Sequence, residues 1–311
     1  MKIPALKLVL ATCILSVTAC AQSPSAESFK RGTDYLKKRD YAHAIEAYTE
    51  CIRLDPHSAI AFHARGYAYY DSHDDNRAIQ DFNEAIRLEP EYGDGFRERA
   101  RAYEDKNDYE HAIQDYTQAI RIKPSEFILL YDRAYDYQRV GEYALAVADL
   151  DELVRRFPQS ADAYRDRGVA YLLWGHLGEA QRDISRAVGL NPLGYYDVIW
   201  LYIARAKAGP GAEEELAKNA TALNLSKWPG PVIQLFLGKI TTEAVLKAAS
   251  NSDPNKSSEK QCQANFYLAE YQALHGQRDA AQKTFRLAGD TCNRNYFLYV
   301  RAAHEELKSL R

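Results

Sequence analysis

Five prolines, Pro56, Pro90, Pro124, Pro158 and Pro192, stand 34 residues apart along this chain. So strict a period leaves few folds open, because the chain must repeat one supersecondary unit again and again. The segments ending on these prolines read CIRLDP, AIRLEP, AIRIKP, LVRRFP and AVGLNP. With blocks numbered 1 to 34 from Ser25, each proline falls at position 32. Position 8 is then Gly32, Gly66, Ala100, Ala134 and Gly168; position 11 is Tyr35, Tyr69, Tyr103, Tyr137 and Tyr171. Position 20 is Ala44, Ala78, Ala112, Ala146 and Ala180, position 24 is Tyr48, Phe82, Tyr116, Leu150 and Ile184, and position 27 is Cys51, Ala85, Ala119, Leu153 and Ala187. Each block reads as two antiparallel helices. Small residues at 8 and 20 let the backbones approach, large ones at 4, 11 and 24 fill the gaps, and proline at 32 ends the second helix. One hairpin cannot bury its apolar face alone, so neighbours must stack. The repeat also accounts for many of the 23 tyrosines.

This pattern resembles the tetratricopeptide repeat, in five copies without insertion over residues 25–194. The resemblance implies an all-α solenoid, a right-handed superhelix of antiparallel helix pairs. A second pair of positions keeps step: Arg31, Arg65, Arg99, Arg133 and Arg167 at position 7, and Asp81, Asp115, Asp149 and Asp183 at position 23, where the first block has Ala47. Arginine on one helix and aspartate on the other suggest an ion pair within each block; an arginine row for ligand capture is the alternative.

After Pro192 the strict period stops, leaving a divergent helical region over 195–260. Tyr195–Lys207 reads as a helix, broken by Gly209-Pro210-Gly211, and Glu213–Leu225 as a second. Thr241 or Thr242 caps a short helix ending near Ser250, and 250–260 reads as a polar loop. The period returns over 261–311. Gly276 fits position 15, which puts Ala269, Ala281, Phe285 and Ala288 at positions 8, 20, 24 and 27. Cys262 and Cys292 then fall at positions 1 and 31, which adjoin in an antiparallel pair. A disulfide is expected there, closing a loop of about 30 residues; two unpaired thiols are the alternative. Cys51 holds a small core position and reads as inert. Asn295–Leu310 is expected to form a capping helix over the last repeat.

The N-terminus carries a different message. Lys2 and Lys7 precede the apolar stretch Leu8–Val17, which is too short to span a bilayer, since a helix needs about 20 residues for that. Residues 1–19 read as an export signal. Val17-Thr18-Ala19-Cys20 resembles the bacterial lipobox, which implies that Cys20 becomes the first mature residue, multiply acylated (palmitate among its chains), on a tether over 20–27. An ordinary signal-peptidase cut at Ala19 or Ala21 is the alternative. Ala21 is not the aspartate that favours inner-membrane retention in enterobacterial lipoproteins, so the expected location is the periplasmic face of the outer membrane.

Three tail segments, Trp200–Ala204, Leu235–Thr241 and Asn265–Tyr271, together with the lipobox, resemble the NlpI family of outer-membrane adaptor lipoproteins. That resemblance implies a homodimeric adaptor that binds peptidoglycan hydrolases and brings a murein endopeptidase to a periplasmic protease. The more regular, Tyr- and Arg-rich repeats here leave the clients open. A pilotin or outer-membrane assembly lipoprotein shares the first two thirds of the pattern.

No catalytic chemistry stands out. The eight histidines are scattered, and there is no HExxH, no Cys/His set at zinc spacing, no GxSxG and no P-loop. No metal and no cofactor is expected, and an enzyme with an unrecognised site is the remote alternative. A formal charge of −3 without any basic tract argues against nucleic acid. What remains is a binding surface for proteins or peptides of the envelope. In this repeat positions 2, 5, 9, 12 and 13 of the first helix line the concave face. They supply Phe29, Ile60, His63, Tyr67, Tyr70, Arg97, Arg101, Ile128, Tyr131, Tyr135, Arg165 and Leu172. Aromatic and arginine side chains are enriched where binding energy concentrates. The Lys/Asn set that clamps a C-terminal carboxylate in chaperone-binding relatives is missing, so chaperone-tail recognition is not expected.

Overall fold

A computed structural model describes residues 23–250, 254–291 and 302. The signal segment, Cys20, Cys292 and, apart from Ala302, the expected capping helix lie outside the described residues. The described helices are α1 (Pro24–Lys37), α2 (Tyr41–Leu54), α3 (Ala59–Asp71), α4 (Asp75–Leu88), α5 (Gly93–Asp105), α6 (Tyr109–Ile122), α7 (Ile128–Val140), α8 (Tyr143–Arg156), α9 (Ala161–Trp174), α10 (Leu177–Leu190), α11 (Tyr195–Ala208), α12 (Ala212–Ala220), α13 (Gly230–Phe236), α14 (Thr242–Ala249), α15 (Pro254–Leu274) and α16 (Arg278–Thr291). No strand occurs among the described residues. The chain divides into two units within α7, Met1–Asp136 and Tyr137–Arg311.

In the first unit α1 packs on α2, α3 on α4 and α5 on α6, and across blocks α2 packs on α3 and α4 on α5. The position-24 rings Tyr48, Phe82 and Tyr116 are fully enclosed, each opposite the small residue at position 8. A methyl carbon added at Gly66 would come within 2.9 Å of the Phe82 ring. Burial of such a ring contributes roughly 2–3 kcal/mol.

The helix joints recur as strictly as the core. Position 15 is left-handed in every block: Arg39, His73, Asn107, Gly141 and Gly175 have φ between 58° and 88°. This one residue ends the first helix, as helix C-termini often require. The next residue is aspartate in three blocks, and Asp40, Asp74 and Asp108 each accept a backbone N–H three residues on, capping the second helix. Gly276, assigned to position 15 from sequence, has φ 73° as that position demands.

In the second unit α11 is buried from Asp197 through Ala204, as a helix apolar on nearly all sides must be. Trp200 lies 5.6 Å from the Phe266 ring and Tyr202 lies 4.7 Å from Phe236, so the divergent segments close around this helix. Gln263 binds them together, its Oε1 accepting from Tyr196 Oη at 3.0 Å and from Trp228 Nε1 at 2.7 Å. Ala269, Ala281, Phe285 and Ala288 are fully buried and Ala302 is helical and 2 % exposed.

Two expected elements differ. The helix expected over 213–225 stops at Ala220, because Thr221 Oγ1 turns back to Lys218 O and Asn224 Oδ1 accepts from Ser226 N, side-chain bonds that compete with helix. The polar segment 250–260 is not all loop: α15 starts at Pro254, a residue suited to a first helical position, and its polar residues form the opening turns.

Candidate protein-binding face

Position 7 is used inside the array. Arg65 donates from Nε and Nη2 to both oxygens of Asp81 at 2.7 and 2.8 Å. Arg99 grips Asp115 in the same way at 2.7 and 2.6 Å, and Arg167 grips Asp183 at 2.6 and 2.8 Å. The remaining Nη1 reaches back to the preceding block's second helix: Arg65 to Thr49, Arg99 to Asn83, Arg133 to Thr117 and Arg167 to Asp151. One guanidinium thus ties three helices, and Arg65, Arg99 and Arg167 are spent on structure rather than left for ligand capture. Burial still pushes the Asp115 carboxyl up against the pull of Arg99.

The other face of the first helices is less committed. On α3, Ile60, His63, Tyr67 and Tyr70 recur at spacings of three and four and make one stripe. Ile60 is 56 % exposed, Tyr67 and Tyr70 are half-buried, and His63 packs against the rings of Phe82 and Tyr92 at 5.7 and 5.1 Å. His63 Nε2 is enclosed and makes no hydrogen bond; burial holds its pKa below the ordinary value, so the ring is neutral near pH 7. On α5, Arg101 lies 5.2 Å from the Tyr70 ring centroid, and Tyr70, which bonds Asp105, is pushed by burial to about 12. On α7, Ile128 is 55 % exposed and Tyr131 and Tyr135 continue the row half-buried.

The predicted arginines are paired. Glu98, only 3 % exposed, accepts from Arg97 at 2.9 Å and from Arg101 at 2.9 Å. Arg97 also meets Glu126 at 3.4 Å, and Lys123 meets Asp94 and Glu126 at 2.7 and 3.2 Å. Arg165 stands in the second unit and is held by Asp162, Asp166 and Asp197 at 2.6, 3.1 and 3.4 Å. Two other expected lining residues sit deeper: Phe29 packs on Tyr48 at 5.4 Å, and Leu172 belongs to the core of the second unit. Sequence reasoning missed the acids. Position 6 is Glu98, Asp132 and Asp166 in three successive blocks, and reading that column would have shown them.

Cys51 is buried and free, with its thiol pushed up by burial. Cys262 is fully buried and disulfide-bonded; Cys292, its expected partner, is outside the described residues. No group of three or more His, Cys, Asp or Glu among the described residues could hold a metal ion, and no described helix is long and apolar enough to cross a membrane.

Stacked helix hairpins with an uncovered face of aromatic side chains define a repeat scaffold of the protein-binding class. Family models described as tetratricopeptide repeat match residues 63–127 and 131–193, and a further one residues 26–58. The chain belongs to the tetratricopeptide-repeat family. Lipoprotein NlpI homolog of Haemophilus influenzae is 30% identical over 132 residues, 42% of this chain and 42% of that protein, so the match spans less than half of the relative's length. Among solved structures, the C-terminal part of a TPR repeat-containing protein from Cytophaga hutchinsonii has TM-score 0.56 at 16% identity, covering 85% of this chain and 99% of that one. PilW, a type IV pilus biogenesis factor, has TM-score 0.52 at 18% identity over 70% of this chain and 100% of its own. YrrB, a TPR protein with an unusual peptide-binding site, has TM-score 0.50 at 17% identity over 56% and 92%. At these identities the structural likeness concerns the fold alone.

Proposed function

We propose that this protein is a non-enzymatic adaptor, lipid-anchored through Cys20 at the periplasmic face of the bacterial outer membrane. It holds segments of partner proteins on the first-helix face of its repeats and raises their local concentration there. The observation that carries this reading is the stripe Ile60, His63, Tyr67 and Tyr70, left partly open on the first helix while Arg65, Arg99 and Arg167 are spent on ion pairs inside the array. The resemblance of lipobox and tail to the NlpI family, and the likeness to an NlpI homolog, support peptidoglycan hydrolases and a periplasmic protease as clients and a homodimeric state. An assembly lipoprotein for a secretin or pilus is the competing reading.

The test uses Ile60→Ser with Tyr67→Ala, two side chains whose loss leaves no buried charge. Replacing Arg101 would be a poor choice, because Glu98 would be left buried with one partner fewer. Crosslinked pull-downs from envelopes should recover hydrolases and protease with the parent and several-fold less with the variant, at unchanged helicity. Secretin subunits would favour the competing reading, and equal recovery from both forms would put the site elsewhere. Purified protein that cleaves murein unaided would overturn the non-enzymatic reading.

A further inference from the structure

The polar groups on the open face of the first unit are unequally satisfied. Arg97, Arg101 and Lys123 are committed: Arg97 to Glu98 and Glu126, Arg101 to Glu98, and Lys123 to Asp94 and Glu126. Two carboxylates are not. Asp71, at the end of α3, and Asp132, on α7, accept no hydrogen bond and form no ion pair with any described residue. Both lie within the field of Arg101, Asp71 also within that of Arg39 and Asp132 within that of Arg97, without pairing with any of them. Asp132 is largely withdrawn from water and Asp71 only partly so; desolvation raises each above its ordinary value, Asp132 to about 6. On α3 itself, the Tyr67 ring lies within the field of Asp71, and His63 Nε2 is enclosed and unbonded.

A desolvated acceptor without a donor costs stability unless something supplies one. Here the chain keeps one such acceptor, Asp132, and a second unpaired carboxylate, Asp71, that is part-exposed, on a face with aromatic walls on which an aliphatic stem or a guanidinium plane can lie. A ligand bringing more acceptors would meet no free donor among the paired cations. A ligand bringing cations would meet two waiting carboxylates.

We infer that the face formed by α3, α5 and the start of α7 takes an extended, basic segment of a partner protein, with Lys or Arg side chains donating to Asp71 and Asp132 and their stems lying on Tyr67 and Tyr70. This rests on the adaptor reading and names the chemical class of the segment held. It reverses the expectation from sequence that Arg97 and Arg101 do the capturing.

The test is fluorescence anisotropy with the full chain in detergent micelles and three labelled twelve-residue peptides of one Gly/Ser/Tyr frame, carrying four Arg, four Glu or four Gln. The Arg peptide should bind best, and more weakly as salt rises. Asp71→Asn and Asp132→Asn should each weaken it about tenfold, as loss of a charge-assisted bond does. The thermal midpoint should stay level or rise, which a structural role for these carboxylates would not allow. Arg-peptide binding that both Asn variants leave unchanged overturns the inference, as does equal or tighter binding of the Glu or Gln peptide. If the Glu or Gln peptide binds and Ile60→Ser with Tyr67→Ala abolishes it, the adaptor face stands and only its charge preference is wrong. Binding of none of the three overturns the inference and leaves the adaptor reading to its own pull-down.

Discussion

Arg99 shows how much one residue can be asked to do. Its guanidinium holds Asp115 within its own hairpin and Asn83 on the hairpin before, and the carboxylate it grips is 4 % exposed. Arg99→Met should therefore cost about 3–5 kcal/mol, because a buried charge is left alone, whereas Arg99→Met with Asp115→Leu should recover most of that. Urea unfolding of parent, single and double variants measures both. Asp132 makes the opposite case. Its carboxyl is raised by burial to about 6, above the model-peptide value near 3.9, so the folded chain binds this proton more tightly than the unfolded chain between about pH 4 and 6. The Asp132 contribution to stability is therefore most favourable below about pH 4 and is lost as pH rises through 6. Asp132→Asn should flatten that part of the pH–stability profile and leave the protein at least as stable at pH 7; a midpoint lower at pH 7 would mean an unseen partner for the carboxylate. The Arg–Asp pairs were legible in sequence because both members keep the 34-residue period. The acids beside the predicted arginines keep a period too, but over fewer blocks, and charge at one helix position says nothing about which neighbour neutralises it until the helices are in place.

Among the elements, the helix pairs of the five regular blocks could be read directly from spacing, since proline, small residue and ring each recur where packing requires them. The divergent region could not be read as well. There the ends of α12 and α15 are set by side-chain bonds at Thr221 and Asn224 and by Pro254 as a first helical residue, which are local choices without a period. Position 15 offers a clean test of the joints. His73 holds φ 63° where Gly175 holds 88°, and a methyl carbon added at Gly175 would meet nothing within 4 Å. His73→Gly should then stabilise, and Gly175→Ala destabilise, by about 0.5–1 kcal/mol each, through backbone preference alone. Thermal melts of the two variants should move in opposite directions; movement in the same direction would mean that side-chain contacts govern the joint. For α15 and α16, we propose that Cys262 is bonded to Cys292. Non-reducing peptide mapping should recover the two as one linked peptide, and Cys262→Ser should lower stability by about 2–4 kcal/mol.

At the scale of the whole molecule, the first unit is regular and carries the open face, while the second closes its divergent segments around α11. The proposed anchor, Cys20, stands before the first repeat in the sequence. If Cys20 carries acyl chains, labelled palmitate should enter the parent and be lost in Cys20→Ser, with the protein moving from the membrane to the soluble fraction; label retained by Cys20→Ser would remove the anchor from the account. The fold was legible because a strict repeat leaves one way to bury its apolar residues. The binding face was only half legible, because sequence places side chains on a helix but does not say which of them the neighbouring helices use up. The central claim is that the first-helix face of the first unit is where partners sit. A photocrosslinking amino acid placed in envelopes at Ile60, Tyr67 or Tyr131, and at Gln80 or Gln114 on the second helices, tests it most directly. Partner adducts from the first three sites and none from the last two are the expected result; adducts from Gln80 or Gln114 with none from the first three would contradict it.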